Sequence, residues 1–341
     1  MRASRTSLSL LCVLVWQVGL QVLVLPLNTL GSSTREGNDE VGASSERTSI
    51  HEVYGWGLNS VGQLGLVDFQ DRRKPALLSV LKGKNITHLA VGGSEQVDSQ
   101  TLAIVSPGKL FTAGDNTYGQ LGVGDNTDRE SFEPVQAVFQ KTFVAVACGE
   151  AHSVALADDG EVYVWGSNTR GQLCMRDNAA QSSVPTALVL PLPDPVVGVT
   201  AGAWHTVVWT AKGSVFACGD NTYGQLGAGD QSAQQGLVQV ILPKDLQVKE
   251  VAAGGHHNIL LSKTGELYAW GKNSQAQLGL QREDLTKEAY ATPELVPSFS
   301  EAALTRVFAG YMHSMALDQH AALHAWGENS QGQLGVMVAG A

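Results

Sequence analysis

A motif that closes in Gln-Leu recurs six times along this chain and constrains its fold more than any other feature. Its copies include GDNTYGQLGVGD from Gly114 and WGENSQGQLG from Trp326. The glycines that the copies share stand 52 to 57 residues apart, at Gly57, Gly114, Gly166, Gly219, Gly271 and Gly327. An asparagine follows each of them two residues later, and its side chain is expected to hydrogen-bond the backbone of its own turn. A constant period of this length predicts repeated units that each bury their apolar side chains against the next unit.

A second motif, Gly-x-x-His, alternates with the first in four of the units. The histidines are His152, His205, His257 and His313. The unit between Leu89 and Ile104 departs from the pattern and has no histidine. Catalysis needs one unique constellation, whereas structural residues repeat. We therefore interpret these histidines as structural, with ring nitrogens bonded to the backbone, and not as a ring of metal ligands or a catalytic base.

The composition between the motifs indicates β-structure. Glycine accounts for 38 of 341 residues and charged residues for only 16%. Short apolar runs are separated by Gly, Asn and Asp turns, and no long helical period follows residue 50. These features predict an all-β propeller with blades of about 50 residues, of which five to six are present. The tryptophans expected to fill the space between blades are Trp56, Trp165, Trp270 and Trp326.

The two motifs, exemplified by GDNTYGQLGVGD and VACGEAHSVAL, resemble the signature segments of the regulator of chromosome condensation repeat family. The resemblance covers about residues 50 to 338 and implies a propeller of seven blades. The founding member of that family is a nucleotide exchange factor for a small GTPase, and other members resemble protein-binding modules. These include secreted bacterial inhibitors and parts of ubiquitin ligases. No exchange residue carries over to this chain, because those residues lie outside the matched motifs.

The number of units is smaller than the resemblance implies, so we expect a ring that is incomplete relative to seven blades. Three interpretations stay open: the sequence is a piece of a longer chain, the blades form an open arc, or a partner completes the ring. A propeller normally joins its two ends within one blade, which hides the edges of the sheet.

The N-terminal residues differ from the rest of the chain. Arg2 and Arg5 precede an apolar run, Leu8 to Leu27, and small residues surround Gly31. The pattern predicts that residues 1–31 are a signal peptide or an uncleaved signal anchor. Residues 32–50 are then a flexible polar linker, and residues 51–341 form the propeller. Either outcome puts the propeller in the lumen or outside the cell, and a cytosolic or mitochondrial location fits the pattern less well.

The cysteines and one sequon bear on the compartment. Cys148, Cys174 and Cys218 are odd in number and widely spaced, and Cys12 lies in the leader. We therefore expect no disulfide framework and no metal site, with Cys148 and Cys218 as small buried hydrophobes. The triplet that begins at Asn85 predicts N-glycosylation there.

Unique residues are better candidates for a binding site than repeated ones. Trp204, beside the repeated His205, is expected to be either an exposed anchor or a packed aromatic residue. The other candidates lie in irregular segments, and they are Ser94, Glu95, Arg282 and Tyr290.

The function classes follow from charge and from missing motifs. The net charge is −10 and the one basic cluster is Arg72 to Lys74, so a nucleic-acid partner is not expected. No phosphate loop, nucleophile elbow or zinc motif occurs, so we expect neither an enzyme nor a cofactor or metal.

Our main hypothesis is a non-enzymatic scaffold that binds a protein partner in the secretory pathway or the extracellular space. Any membrane contact would be through the uncleaved N-terminal segment. The alternative, implied by the resemblance alone, is a guanine nucleotide exchange factor or regulator of a small GTPase. It requires that the leader is not a working signal.

Overall fold

The computed structural model describes residues 20–27, 50–94, 99–175, 179–190, 194–280, 287–299 and 302–335. Their regular structure consists of antiparallel strands and three short 3-10 turns. Blade 1 contains β1 (Leu20–Leu27), β2 (Ile50–Gly57) and β3 (Arg72–Leu77). Blade 2 contains β4 (Ile86–Gly92), β5 (Gln100–Val105), β6 (Lys109–Gly114) and β7 (Arg129–Pro134). Blade 3 contains β8 (Phe143–Cys148), β9 (His152–Ala157), β10 (Val162–Ser167) and β11 (Gln181–Ala187). Blade 4 contains β12 (Val196–Ala201), β13 (His205–Thr210), β14 (Val215–Gly219) and β15 (Gln234–Gln239). Blade 5 contains β16 (Val248–Ala253), β17 (His257–Ser262), β18 (Leu267–Lys272) and β19 (Ala289–Leu295). Blade 6 contains β20 (Leu304–Ala309), β21 (His313–Asp318) and β22 (Leu323–Gly327). The 3-10 turns are Ser79–Leu81, Gln136–Val138 and Pro297–Phe299.

The strands of each blade pair in chain order, so every sheet is an up-and-down meander. The first strands of blades 2 to 6 pack against one another in succession and surround the propeller axis. This arrangement confirms the predicted all-β propeller and the blade length of about 50 residues. The structure divides it into six sheets, four of them with four strands.

The hydrophobic core lies between blades and not within them. Five apolar clusters occur, and each combines side chains from two successive blades. Trp165 and Trp270 are fully buried in two of these clusters, as predicted. An indole of this kind removes about 200 Å² from water, which favours folding by at most about 5 kcal/mol. Each blade therefore depends on its neighbour for most of its apolar burial.

One register is shared by all the blades that carry the second motif. Each histidine stands opposite the shared glycine on the next strand, as His152 does opposite Gly166 and His205 opposite Gly219. In blade 2, where the sequence has no histidine, Gln100 stands opposite Gly114. The irregular unit therefore keeps the strand and replaces only the side chain.

Strand β1 comes from the apolar segment predicted as a leader. It runs antiparallel to β2, from Leu20 opposite Gly57 to Leu27 opposite Ile50. Leu20 thus has the register that histidine has in other blades, so β1 fills the position of a second strand. The rest of the predicted leader and nearly all of the predicted linker lie outside the described residues, and the signal hypothesis stays a prediction. Within the described residues, no helix is long and apolar enough to span a membrane.

Candidate functional site

The Gly-x-x-His turns join the first and second strands of blades 3 to 6. In blade 3, a Cβ added to Gly149 would lie 2.2 Å from Cε1 of His152. Only glycine lets the imidazole ring lie against the turn in this way. The same close contact occurs at Gly202, Gly254 and Gly310. This spacing explains why the motif pairs these two residue types.

Three of the histidine rings, in blades 3 to 5, bond to side chains of the next blade, which corrects our expectation that they bond to the backbone. His152 Nε2 lies 3.0 Å from Thr206 Oγ1, whose hydroxyl donates to the Gln172 carbonyl at 2.7 Å. Because the Thr206 proton is committed to that carbonyl, Nε2–H of His152 is the donor. His205 bonds Asn258 of the next blade in the same way. Sequence reasoning missed these partners, although Thr206 and Asn258 each directly follow a motif histidine.

The buried histidines are neutral and unsuited to acid–base chemistry. Burial lowers the pKa of His152 to about 3, of His205 to about 4 and of His257 to about 3. Within the described part of the chain, no three His, Cys, Asp or Glu side chains are grouped as metal ligands. The geometry therefore supports the structural interpretation of the motif.

The Gln-Leu motif locks each loop to the following blade through the glutamine carbonyl. The Gln120 carbonyl accepts a bond from Trp165 Nε1 at 2.7 Å and one from Ser153 Oγ at 2.8 Å. Both lone pairs of the Gln120 carbonyl oxygen therefore accept a hydrogen bond. Gln225 accepts from Trp270 and Asn258 in the same manner.

The repeated asparagine ties its own turn, as its position in the motif predicts. Asn116 Oδ1 accepts from Leu121 N at 3.0 Å, and its Nδ2 donates to the Asp125 carbonyl at 2.9 Å. The turn at Asn221 has the same two bonds to Leu226 and Asp230.

At the junction of blades 3 and 4, a disulfide replaces the usual glycine and tryptophan, contrary to our expectation. Cys174 and Cys218 are bonded, with their Cα atoms 5.4 Å apart, and join blades 3 and 4. Cys218 occupies the position of Trp165 and Trp270, and its Sγ lies 3.6 Å from the Gln172 carbonyl. The pairing was missed because the two cysteines are 44 residues apart in sequence. Cys148 is a buried free thiol, as predicted.

Cys174 also has an uncommon backbone conformation. Its φ is +56°, in the left-handed region that L side chains rarely adopt. Glycine holds the equivalent position in the other five repeats, with φ between +64° and +72°, at Gly65, Gly122, Gly227, Gly279 and Gly335. In blade 3, a Cβ on Gly122 would lie 2.8 Å from Trp165 Nε1. The disulfide therefore stands where three other repeats place a tryptophan ring on a glycine.

The middle residues of the four Gly-x-x-His turns meet around the propeller axis, and we call this region the channel mouth. Main-chain bonds link their first members in order: Glu150 N donates to Ala203 O at 3.1 Å, Ala203 N to Gly255 O at 3.1 Å, and Gly255 N to Tyr311 O at 2.9 Å. The turns of blades 3 to 6 therefore form one continuous rim.

Tyr311 crosses this rim. A Cβ added to Gly255 would lie 3.0 Å from the Tyr311 ring, so the ring rests on that glycine. The Tyr311 hydroxyl lies 3.3 Å from Glu150 Oε1, on the opposite side of the rim. Glu150 is 5% exposed, and the Ser94 hydroxyl also donates to it. Burial raises the pKa of the Glu150 carboxyl above its usual range, and these two hydrogen bonds oppose that rise.

Aromatic side chains cover the mouth beside Tyr311. The His256 ring lies 5.3 Å from the Tyr223 ring and 5.9 Å from the Tyr311 ring, centre to centre. Lys272 Nζ lies over Tyr223, at 4.6 Å from the ring centre. The Trp204 carbonyl accepts a hydrogen bond from Asp220 N at 2.9 Å. This bond brings the start of the Gln-Leu loop of blade 4 to the same rim. All four rings, including that of Trp204, are half-buried.

The predicted binding residues fall in different places. Trp204 stands in the blade 4 turn that forms part of the channel mouth, and the Ser94 hydroxyl bonds to Glu150 there. Tyr290 lies on β19, the outermost strand of blade 5, with Lys287 Nζ 4.0 Å from its ring centre. Glu95 and Arg282 lie outside the described residues. Asn85 is exposed in the turn before β4, where a glycan has room.

Sequence reasoning did not select Glu150, Tyr223 or Tyr311. Glu150 and Tyr311 occupy the variable positions of the Gly-x-x-His turns, and Tyr223 stands in a variable position of the Gln-Leu motif. A search restricted to those variable positions would have found all three. His256, which directly precedes the motif histidine of blade 5, lies among the aromatic rings of the mouth.

Propellers of repeated blades are a class of proteins that act through their loops. This chain is such a propeller, and its unique side chains gather at one end of the axis. The chain belongs to the RCC1-like domain family, which matches residues 47–340. The family predicted from the two motifs is thereby confirmed. Over 285 residues the chain is 33% identical to the ultraviolet-B receptor UVR8 of Arabidopsis thaliana, and the match covers 83% of this chain and 62% of that protein.

Two solved structures resemble the fold. Human WBSCR16 is 27% identical with a TM-score of 0.70, covering 83% of this chain and 72% of that one. Prp20p of Saccharomyces cerevisiae is 20% identical with a TM-score of 0.70, covering 94% and 84%, and shows the fold alone. The chain spans less than two thirds of the length of curated relatives such as UVR8.

Proposed function

We propose that this chain is a non-enzymatic propeller that binds a protein partner in the secretory pathway or the extracellular space. The observation that carries the proposal is the disulfide between Cys174 and Cys218. Disulfides persist in oxidising compartments and are rare in the cytosol. A left-handed cysteine costs about 1–2 kcal/mol relative to glycine. Cysteine at this position is therefore favoured only where a bond to Cys218 offsets that cost.

Other features agree with the proposal. The basic and apolar N-terminal residues fit a secretory signal. Asn85 is exposed and heads a glycosylation triplet. The repeated histidines are neutral and engaged with the next blade, so they leave the variable loop residues as the part of the molecule suited to recognition.

The experiment is to express the full chain in a eukaryotic cell and separate cytosol, membranes and medium. Thiols are alkylated in denaturant before and after reduction, and intact masses are measured. We expect a product in the lumen or medium that carries a glycan, which Asn85→Gln removes. We also expect two further alkyl groups after reduction, at Cys174 and Cys218. An unglycosylated cytosolic product whose thiols all react before reduction would refute the proposal.

A second function is favoured by one observation, the pairing of β1 with β2. A chain that uses Leu20–Leu27 as a strand must keep these residues, whereas a cleaved signal would remove them. An uncleaved cytosolic chain would suit a regulator of a small GTPase. The test is release of fluorescent GDP from a panel of small GTPases by the full chain, with an unshortened intact mass as the precondition.

A further inference from the structure

The channel mouth holds the nearly buried carboxylate of Glu150 beside the Tyr311 hydroxyl, and among the described residues no cation is paired with it. Glu150 is 5% exposed, and its hydrogen-bond donors in the described structure are the neutral hydroxyls of Ser94 and Tyr311. No ion pair among the described residues involves Glu150. A buried carboxyl of this kind is stabilised by a cationic partner that brings its own hydrogen-bond donors.

Two of the three charged residues whose main-chain N–H groups bond to the rim turns are acidic. Asp220 and Glu328 directly follow shared glycines, and their main-chain N–H groups bond to the turns at Trp204 and Met312. Lys272 is the basic residue of this set, and it already lies over Tyr223. The whole chain has a net charge of −10. The mouth therefore favours an approaching cation and disfavours an anion.

The rings supply the second element of such a site. Trp204 and Tyr311 are half-buried and lie on the same rim as Glu150. Aromatic faces attract guanidinium and ammonium groups, and tryptophan does so most strongly. Tryptophan and tyrosine are also the residues that most often dominate the energy of protein interfaces.

We propose that the channel mouth binds a basic segment of the partner by taking one arginine side chain between Trp204 and Tyr311, with its guanidinium paired to Glu150. Arginine fits better than lysine because its planar fork meets both carboxylate oxygens and stacks on aromatic rings. The guanidinium replaces the Tyr311 hydroxyl as donor to Oε1. This inference rests on the proposed binding function and names the chemistry of the partner.

The test uses the full chain and a fluorescein-labelled peptide of alternating Arg and Gly, followed by fluorescence anisotropy. The control peptide has citrulline, which keeps the shape of arginine without the charge, in place of each Arg. We expect the citrulline peptide to bind at least about tenfold more weakly. Glu150→Gln should weaken binding of the Arg peptide by about tenfold or more, and Trp204→Ala should weaken it by a similar factor.

The matched control is Glu266→Gln. Glu266 is an exposed carboxylate in the turn between β17 and β18, at the opposite end of blade 5 from the mouth. The Glu266→Gln variant removes the same charge from the molecule as Glu150→Gln does. If the peptide were attracted only by the net charge of the molecule, both variants would weaken binding equally. We expect Glu266→Gln to leave binding within about twofold of the parent. Far-UV circular dichroism of each variant confirms that the fold is retained.

Three results would overturn the inference: no binding of the Arg peptide, equal binding of the citrulline peptide, or equal effects of Glu150→Gln and Glu266→Gln. The outcome is independent of the location experiment. A cytosolic product with arginine-selective binding would refute the proposed location and support the arginine site. A glycosylated lumenal product without that selectivity would support the location and refute the site.

Discussion

Cys174 and Cys218 depart from the repeat at two positions that touch one another at three other junctions between blades. The equivalent residues in blades 2 and 3 are Gly122 and Trp165, which are in close contact. A disulfide across 44 residues stabilises the folded state by about 2–4 kcal/mol. The pair thus keeps the junction between the blades while changing its chemistry.

Restoring the repeat at both positions should remove the need for oxidation. The double variant Cys174→Gly/Cys218→Trp is expected to fold with a urea midpoint that dithiothreitol does not change. Cys218→Ala alone keeps the left-handed Cys174 of the parent and loses the bond, so it should lose about 2–4 kcal/mol. The measurement is urea unfolding with and without reductant. A parent protein whose midpoint is unaffected by reductant would contradict the expectation.

The sequence predicted the turn bonds of the repeated asparagines, because a short amide beside its own turn has few other partners. It did not predict the disulfide. That bond depends on a contact between a loop and a strand of the next blade, and the distance along the chain conceals it. Aligning the six repeats on Gln-Leu would have shown that Cys174 stands at a glycine and Cys218 at a tryptophan.

At the scale of strands, each element was predictable where the alternation of apolar residues repeats, and β1 was not. Leu20–Leu27 is apolar except for Gln21, which fits a leader as well as it fits a strand buried on both faces. The structure pairs it with β2 over its whole length. Composition alone cannot separate these two outcomes.

Hydrogen exchange can decide whether β1 belongs to the folded molecule. If it does, the amides of β2 that face β1 should be protected in the full chain and exchange quickly in a chain that starts at residue 32. Amides of β10, paired on both sides in blade 3, serve as the internal reference. Equal protection of β2 in both proteins would show that β1 contributes nothing to this sheet.

The molecule as a whole joins its blades through buried, neutral histidines, and this makes its stability depend on pH. His152, His205 and His257 have folded-state pKa values of about 3 to 4, below the ordinary 6.5. The unfolded chain therefore binds protons that the folded chain does not. Stability present above pH 6.5 is lost as the pH falls toward 4, by up to about 1.4 kcal/mol per pH unit for each histidine.

Burial raises the pKa of Glu150, so protonation of this carboxyl favours the folded state as the pH falls. One such group opposes the effect of three histidines. We expect the urea midpoint to fall steadily between pH 6.5 and 4. His205→Gln copies the natural Gln100 of blade 2 and should reduce the slope by about a third. A midpoint that is independent of pH in the parent protein would contradict the account.

The repeat predicted the architecture of the whole molecule, because each unit must bury its faces against another. It did not predict the channel mouth, since Glu150 and Tyr311 are 161 residues apart and meet only when blades 3 and 6 close around the axis. Trp204 was selected from sequence because it is unlike its counterparts, and the same criterion applied to every turn identifies the rest.

The disulfide at the junction of blades 3 and 4 also implies a direction of descent. From a glycine and a tryptophan, a first change at residue 174 introduces backbone strain, and a first change at residue 218 leaves a cavity that costs about 3–5 kcal/mol. Neither intermediate is favourable until the second cysteine arrives and the thiols oxidise. In reducing conditions both defects would be present together. The pair therefore makes the junction between blades 3 and 4 depend on the redox state of its surroundings.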